Sequence, residues 1–559
     1  MIHFLTKLLI SFSIIILINS CGGGGGGDTA PVDDPTKKDN TDKDNTEKDT
    51  TLPVITLIDA DTTIEAGSTY LDKGAKASDD KDGDITNKIV AINPVNTKKI
   101  GLYRIKYNVK DSSNNSAIEV IRKVSVVDST LPIITQIGTN ETLEAGSTYV
   151  DKGATASDSY DGNVTKDINT TNNVNTLVVG VYTVTYNVKD SSKNSASQIT
   201  RTVTVQDTTA PTIKLNGKAK LKIALNSTYR EENVTTSDNV SVSSLIISGS
   251  VNTQKLGLNI IIYKAKDAQN NVSEVNRSVY VTDLIKTGQT KIYTANDDGN
   301  FTAGVDANFT RDTNNIVTDN IRGLMWEDDT FPSNAIWSTQ NTYCNNLILG
   351  GYSDWRIPTI NEISTLLDYN KTTININSNF QNTSSAGLYI SSSEVNSSFD
   401  YSYLNFNASS EKINNSVPSA NAPSFTVRCV RGTYTKEHNI SRNNIGIIND
   451  TNNALKYQDD SNVKIQNLNF SDAINYCQNL TLGNIKWRLA NINELQSIYI
   501  EYKANTNNQF IDINNSSTYW SSTTDVDTNT SAYSINFSKL HLNFESKSNV
   551  NHLICVSDM

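Results

Sequence analysis

Internal repetition constrains this 559-residue chain more than any other feature. The stretch IEAGSTYLDKGAKASDDKDGDIT (64–86) returns as LEAGSTYVDKGATASDSYDGNVT (143–165), and GLYRIKYNVKDSSNNSA (101–117) returns as GVYTVTYNVKDSSKNSA (180–196). A more diverged copy holds LNSTYREENVTTSDNVS (225–241) and GLNIIIYKAKDAQNNVS (257–273). Repetition at such a period marks each copy as one structural unit. Every copy opens on a Pro-led strand: LPVITL, LPIITQI and APTIKL. Within GVYTVTYNV, Tyr182, Val184, Tyr186 and Val188 alternate with Val181, Thr183, Thr185 and Asn187, which predicts a half-buried strand.

Short strands between regular turns predict an immunoglobulin-like β-sandwich for each of residues 51–128, 129–207 and 208–283. No cysteine lies in these stretches, so the antibody-type disulfide between the sheets is excluded. The three copies resemble the bacterial Ig-like domain named after a pesticidal crystal protein, through GSTYxDxGAxAxD, DG-x-x-T and the closing GxYxVxYxVxD. That resemblance implies a spacer or adhesion module and no catalysis. The DDKDGD run places Asp79, Asp80, Asp82 and Asp84 together, and calcium takes clustered oxygen ligands. The twelve-residue EF-hand loop is absent, and Asp-Gly is also ordinary turn chemistry, so a calcium loop and a solvated turn are both open readings.

After residue 284 the composition changes: all five tryptophans and four of the five cysteines lie there. This half is duplicated as well. YCNNLILGGYSDWRIPTINEISTLLD (343–368) corresponds to YCQNLTLGNIKWRLANINELQSIYI (476–500), and FTVRCVRG (425–432) to HLICVSD (552–558). Two α+β modules follow, over 284–434 and 435–559. Each is expected to hold two helices, the first starting near an N-cap at Ser471 in the second copy. The second helix begins with the capping box Thr359-x-x-Glu362, partnered by Asn491-x-x-Glu494. Ile363, Leu366 and Leu367, like Leu495 and Ile498, make its buried stripe. With one cysteine on the first helix and one on the last strand of each copy, pairing within modules gives Cys344–Cys429 and Cys477–Cys555.

The motifs Gly323-Leu324-Met325-Trp326, Asp354-Trp355-Arg356 and Arg428-Cys429-Val430-Arg431 resemble the Lcl C-terminal domain of a collagen-like bacterial adhesin. The second copy departs from that pattern: Leu455-Lys456-Tyr457 stands for Leu-Met-Trp, Ala490 for Pro, and Leu553-Ile554 for Val-Arg. The resemblance implies a C-type-lectin-like fold and, in the adhesin, binding of sulfated polysaccharides. Acidic residues outnumber basic ones after residue 284, which argues against carrying over a polyanion ligand and favours a neutral glycan or a protein. Trp337, Tyr352, Trp355 and Arg356 are the ligand-binding candidates. For Trp355-Arg356 the favoured alternative is a core tryptophan beside an Arg356–Glu362 pair.

Residues 1–20 form a charged then apolar leader too short to span a bilayer comfortably. It ends in Leu-Ile-Asn-Ser-Cys21, which resembles a lipoprotein lipobox. That resemblance implies acylation of Cys21, anchoring in a membrane, and an outer-membrane destination given Gly22. Residues 21–50, glycines and then charged residues, make a flexible linker. The net charge of −11 opposes nucleic-acid binding. The four histidines make no metal spacing, and neither a nucleophile elbow nor a phosphate loop occurs. The chain is therefore expected to be a non-catalytic cell-envelope lipoprotein without a cofactor, displaying two lectin-like modules as a surface adhesin. The alternative is a structural lipoprotein that bridges envelope layers, with an enzyme third.

Overall fold

A computed structural model describes residues 48–559 except 331, 333–334, 385–386, 395–400, 408–411, 415–424 and 505–508. Cys21, the leader and nearly all of the linker lie outside the described residues. The chain divides into two compact units, one of residues up to Ile134 with Ala156–Ile168 and Val188–Ser197, the other of Thr135–Thr155, Asn169–Asn187 and Gln198–Met559.

Each repeat folds as its alternation dictates. In the first, Val54–Leu57, Ala75–Asp79 and Gly83–Asp84 form one sheet, and the second sheet runs Thr62–Glu65, Val120–Val127, Gly101–Asn108, Val90–Ile92. Ile105, Tyr107, Val124 and Val126 point inward and are buried. The neighbouring positions on both strands are largely exposed, the pattern of a strand with one wet face. A strand near the start of each repeat pairs parallel to its last strand: Thr62–Glu65 with Val120–Val127, Glu141–Glu144 with Ile199–Gln206, and Lys220–Ala224 with Val272–Thr282.

A buried arginine lies on the last strand of every repeat, and reading the alternation alone does not find it. Arg122, Arg201 and Arg277 are each 1% exposed or less. Arg122 pairs with Asp72. Arg201 pairs with Asp151 at 2.9 Å, and Arg277 with Glu231 at 3.0 Å. Tyr107 and Tyr186 donate to the same aspartates at 2.6 Å. The guanidiniums also reach backbone carbonyls, such as Gly74 O at 2.7 Å and Gly153 O at 3.1 Å. A fork of five donors suits this, since it satisfies a carboxylate and the loop carbonyls together.

The two C-terminal copies share one body. Strands Leu388–Glu394, Tyr401–Asn405 and Ile413–Asn414 of the first copy continue into His541–Ser546, Ser531–Asn536, Thr518–Thr524 and His552–Leu553 of the second, in a single seven-stranded sheet. The join is the pairing of Ile413 with Leu542, both fully buried. One apolar core runs through both copies, from Trp326, Ile363 and Tyr389 to Leu495, Tyr519 and Val556. Both disulfides form as the duplication implies, Cys344–Cys429 and Cys477–Cys555.

Helix Ile360–Ser364 begins with the expected capping box at Thr359 and Glu362. Asn491 and Glu494 cap Ile492–Ala504 reciprocally at 2.9 Å. The first helix of the second copy differs from expectation. It spans Phe470–Asn479 and is capped by Asn469, not Ser471. Starting there puts Phe470 inside the first turn, fully buried edge-on against Trp520.

Replacing Arg201 with Ala is predicted to destabilise the second repeat by about 3 kcal/mol, because it strands the Asp151 carboxylate and two carbonyls. Chemical denaturation of the full chain, followed through the Ig-repeat transition, measures it.

Candidate functional site

Between the two C-terminal copies lies a cleft of about 380 Å³. One wall is the start of helix Ile360–Ser364, with Thr359, Asn361 and Thr365; the other is helix Ile492–Ala504, with Asn493, Gln496 and Ile500. Gln496 Nε2 donates to Ser364 Oγ at 2.6 Å and ties the two helices. Because corresponding helices of a duplicated sequence face each other, the cleft exists only through the pairing of the copies.

The floor is charged and internally neutralised. Lys436 Nζ lies 3.2 Å from Asp283 and donates to Asn453 Oδ1 at 2.7 Å. Tyr434 donates to Asp283 at 2.9 Å. Burial pushes the Asp283 carboxyl upward, but Lys436 and Arg322 outweigh it and hold it below the usual range. His438 Nδ1 lies 2.8 Å from Glu501, whose carboxyl is raised by burial and by Asp450 beside it. With its charges paired, the cleft presents amides and hydroxyls beside apolar side chains, among them Leu284, Ile285 and Ile500.

The residues singled out from sequence separate into two groups. Trp355 is buried, and its indole donates to Tyr352 O at 3.2 Å. Arg356 grips Glu362 with two bonds, of 2.8 and 2.6 Å, and donates to Gly432 O at 3.0 Å. This pair builds scaffold, as do Trp487 and the doubly bonded Arg488–Glu494 in the second copy. Trp337 is partly buried and stacks on Tyr401 at 4.5 Å. Tyr352 is 37% exposed and carries the Arg431 guanidinium 3.6 Å from its ring centre, with Asp354 steadying Arg431 at 2.7 Å. It forms a small surface platform apart from the cleft residues.

Of the four acidic candidates, Asp79 alone joins a carboxylate cluster, with Asp49 and Asp111. Asp82 accepts from the Ser112 amide and hydroxyl at 2.6 and 2.7 Å, and Asp84 from the Thr86 amide at 2.9 Å. Asp80 is exposed and accepts from the Thr51 hydroxyl. Asp84 thus holds its own turn, while Asp80 and Asp82 tie that turn to the distant Thr51 and Ser112. Asp49 and Asp111 were missed because they come from distant stretches; the repeated D-x-x-x-N turn was the signal available for Asp111.

Three buried groups lie outside the cleft and titrate far from their ordinary values. Burial pushes Asp298 up to about 7, where it accepts from Thr287 and Thr523 at 2.5 and 2.8 Å. Burial also raises Glu327 to about 7, hydrogen-bonded by Tyr343 and the Cys429 amide, and lowers Lys412 to about 7 beside Asn375. Each is engaged in internal hydrogen bonds.

The described residues form a modular chain, three β-sandwich repeats and then two copies that share a sheet and a core. Residues 57–126, 136–205 and 213–281 match the family model for the bacterial surface protein Ig-like domain, and residues 315–431 and 446–557 match the Lcl C-terminal domain. Three successive segments are thus similar to the Ig-like model and two further segments to the Lcl C-terminal model, in the order in which the repeats were read. The pesticidal crystal protein Cry22Aa of Bacillus thuringiensis is 31% identical over 137 residues, 23% of this chain and 18% of that protein, so the chain spans under a fifth of that relative. Among solved structures, CBM51-2 in complex with GlcNAc and INT domains from Clostridium perfringens ZmpB is 21% identical, covering 26% of each chain with a TM-score of 0.12. Mouse cadherin-23 EC22-24 is 13% identical, covering 41% of this chain and 98% of that one with a TM-score of 0.21. Among the described residues no helix is long and apolar enough to cross a membrane.

Two predictions concern the site's scaffold. Arg488 has 6% side-chain exposure and Arg356 35%. Arg488→Ala should therefore cost about 3 kcal/mol and Arg356→Ala about 1 kcal/mol, read from denaturation midpoints of the C-terminal transition. The second concerns pH. An acid raised above its ordinary value of 3.8 takes up a proton on folding, so its contribution to stability declines as pH rises toward about 7. Asp298→Asn should remove that decline, so the stability difference between the variant and the parent chain should shift in the variant's favour as pH rises from about 4 to 8.

Proposed function

We propose that the chain is a lipid-anchored, non-catalytic surface protein whose Ig-like repeats hold out a binding body, and that the cleft between the Lcl domains receives a neutral glycan. The observation that carries this reading is the cleft itself. It is formed by two facing copies, its charges are paired internally, and it sets amides and hydroxyls beside apolar side chains. Such groups recognise sugar hydroxyls through directional hydrogen bonds. A polyanion would find Lys436 and Arg322 already committed to Asp283. The leader and lipobox motif of the sequence support attachment through Cys21, and an outer-membrane location follows from Gly22 on the same resemblance.

The test is binding of the full chain to an array of neutral and sulfated glycans, with matrix proteins alongside. Selective capture of neutral glycans, abolished by Asn361→Trp in the cleft mouth, is the expected outcome. Capture that survives this substitution but is lost in Tyr352→Ala would move the site to the Tyr352–Arg431 platform. A chain that binds no glycan or matrix protein, and whose C-terminal body is protected when intact cells are treated with protease, would overturn the reading in favour of an envelope bridge.

A further inference from the structure

Each Ig-like repeat gathers carboxylates where the chain enters it. The groups are Asp49, Asp79 and Asp111; Asp128, Asp158, Asp161 and Asp190; and Asp207, Asp238 and Asp267. Within each group, one carboxylate oxygen per residue lies within 4.8 Å of all the others. Three members of each group come from matching places: the segment leading into the repeat, the end of an early strand, and the end of the long strand or the turn after it; Asp161, in the turn after the early strand, is an additional member of the second group. Asparagine fixes the assembly identically three times. Asn115, Asn194 and Asn271 each donate to the turn aspartate at 2.7–2.8 Å and to the backbone carbonyl of Asp49, Asp128 or Asp207 at 3.0 Å.

Asp111, Asp161, Asp190 and Asp267 accept on both oxygens, but Asp79, Asp128 and Asp207 are bonded on one side only. Asp79 Oδ1 accepts from the Lys81 and Asp82 amides, and Asp128 Oδ1 from the Thr130 amide and hydroxyl. Asp207 Oδ1 accepts from the Thr209 amide. The second oxygens of Asp79, Asp128 and Asp207 are buried and meet no donor, in side chains only 9%, 7% and 5% exposed. A buried carboxylate oxygen without a partner is strongly unfavourable, and several converging ones more so. The buried arginines of these repeats pair elsewhere, with Asp72, Asp151 and Glu231.

The next aspartate in the series supplies a comparison. Asp283 follows the last strand of the third repeat as Asp128 and Asp207 follow the last strands of the first and second. No Ig-like repeat comes after it. There Lys436, Arg322 and Tyr434 converge on the carboxylate. There the charge of the aspartate is balanced by cations of the chain itself, although its Oδ1 also lacks a hydrogen-bond donor; at the three entries into Ig-like repeats, carboxylates gather without such a cation.

We propose that these three clusters are repeat-related calcium sites. All the ligands are hard oxygens, three or four carboxylates per site, and such donors from separated loops suit a large, geometrically tolerant divalent cation better than magnesium. Each ion ties the entering segment to its repeat and neutralises the buried oxygens.

Calorimetric titration of the full, chelator-treated chain with calcium tests this. Three ions per chain are expected, with dissociation constants around 10⁻⁴–10⁻³ M or tighter, together with a calcium-dependent rise in the melting midpoint of the repeats. Asp128→Asn, which retains an acceptor for Thr130, should bind two. No uptake at about ten times those concentrations, three ions still bound by Asp128→Asn, or equal affinity for magnesium would each overturn the assignment. The titration of the unmodified chain decides the matter even if the variant fails to fold.

Discussion

Buried carboxylates govern this molecule. An ionised carboxylate withdrawn from water needs a cation or a set of donors, and removing that partner is far more damaging than never having had the pair. Each folded part holds carboxylates that meet this demand with arginine. In the repeats, Asp72, Asp151 and Glu231 are met by Arg122, Arg201 and Arg277. In the first Lcl domain, Asp328 is met by Arg428 and Arg311, with no exposed surface on either the aspartate or Arg428. The pairs orient loops as well as neutralising charge, because each arginine also reaches carbonyls that secondary structure leaves open.

This explains how the second Lcl domain folds despite its departures. Ile554 occupies the place of Arg428 and is fully buried in the common core. Asp459, the counterpart of Asp328, has Arg442 at 2.8 Å and keeps two backbone donors, the Ile511 and Asp512 amides at 2.9 and 3.0 Å, where Asp328 has those of Gln381 and Asn382. Arg488 gains Asp558 at 3.4 Å, where the first copy offers only the Gly432 carbonyl to Arg356. The motif has drifted while the charge balance has been kept.

Features carried by short spacings were legible in the sequence: the alternation of Tyr182, Val184 and Tyr186, the capping box at Thr359 and Glu362, and the pairing of cysteines within each duplicated module. The Arg356–Glu362 pair was also readable, six residues apart along one turn. Long-range partners were not. Nothing in the neighbourhood of Arg201 announces Asp151, and Asp79 gave no hint of Asp49. Asn469 and Ser471 are both good caps, and only the burial of Phe470 chooses between them. The shared sheet escaped notice because its joining strand, Ile413–Asn414, is two residues long, too short for any periodicity.

The parallel pairing of an early strand with the last strand of each repeat has a mechanical meaning. Tension drawn along the chain pulls these two strands in opposite directions along their own length. Their hydrogen bonds are then loaded side by side and must give way together, whereas a hairpin pulled open at its end would lose them one at a time. A tether assembled from such units resists extension until a whole repeat yields.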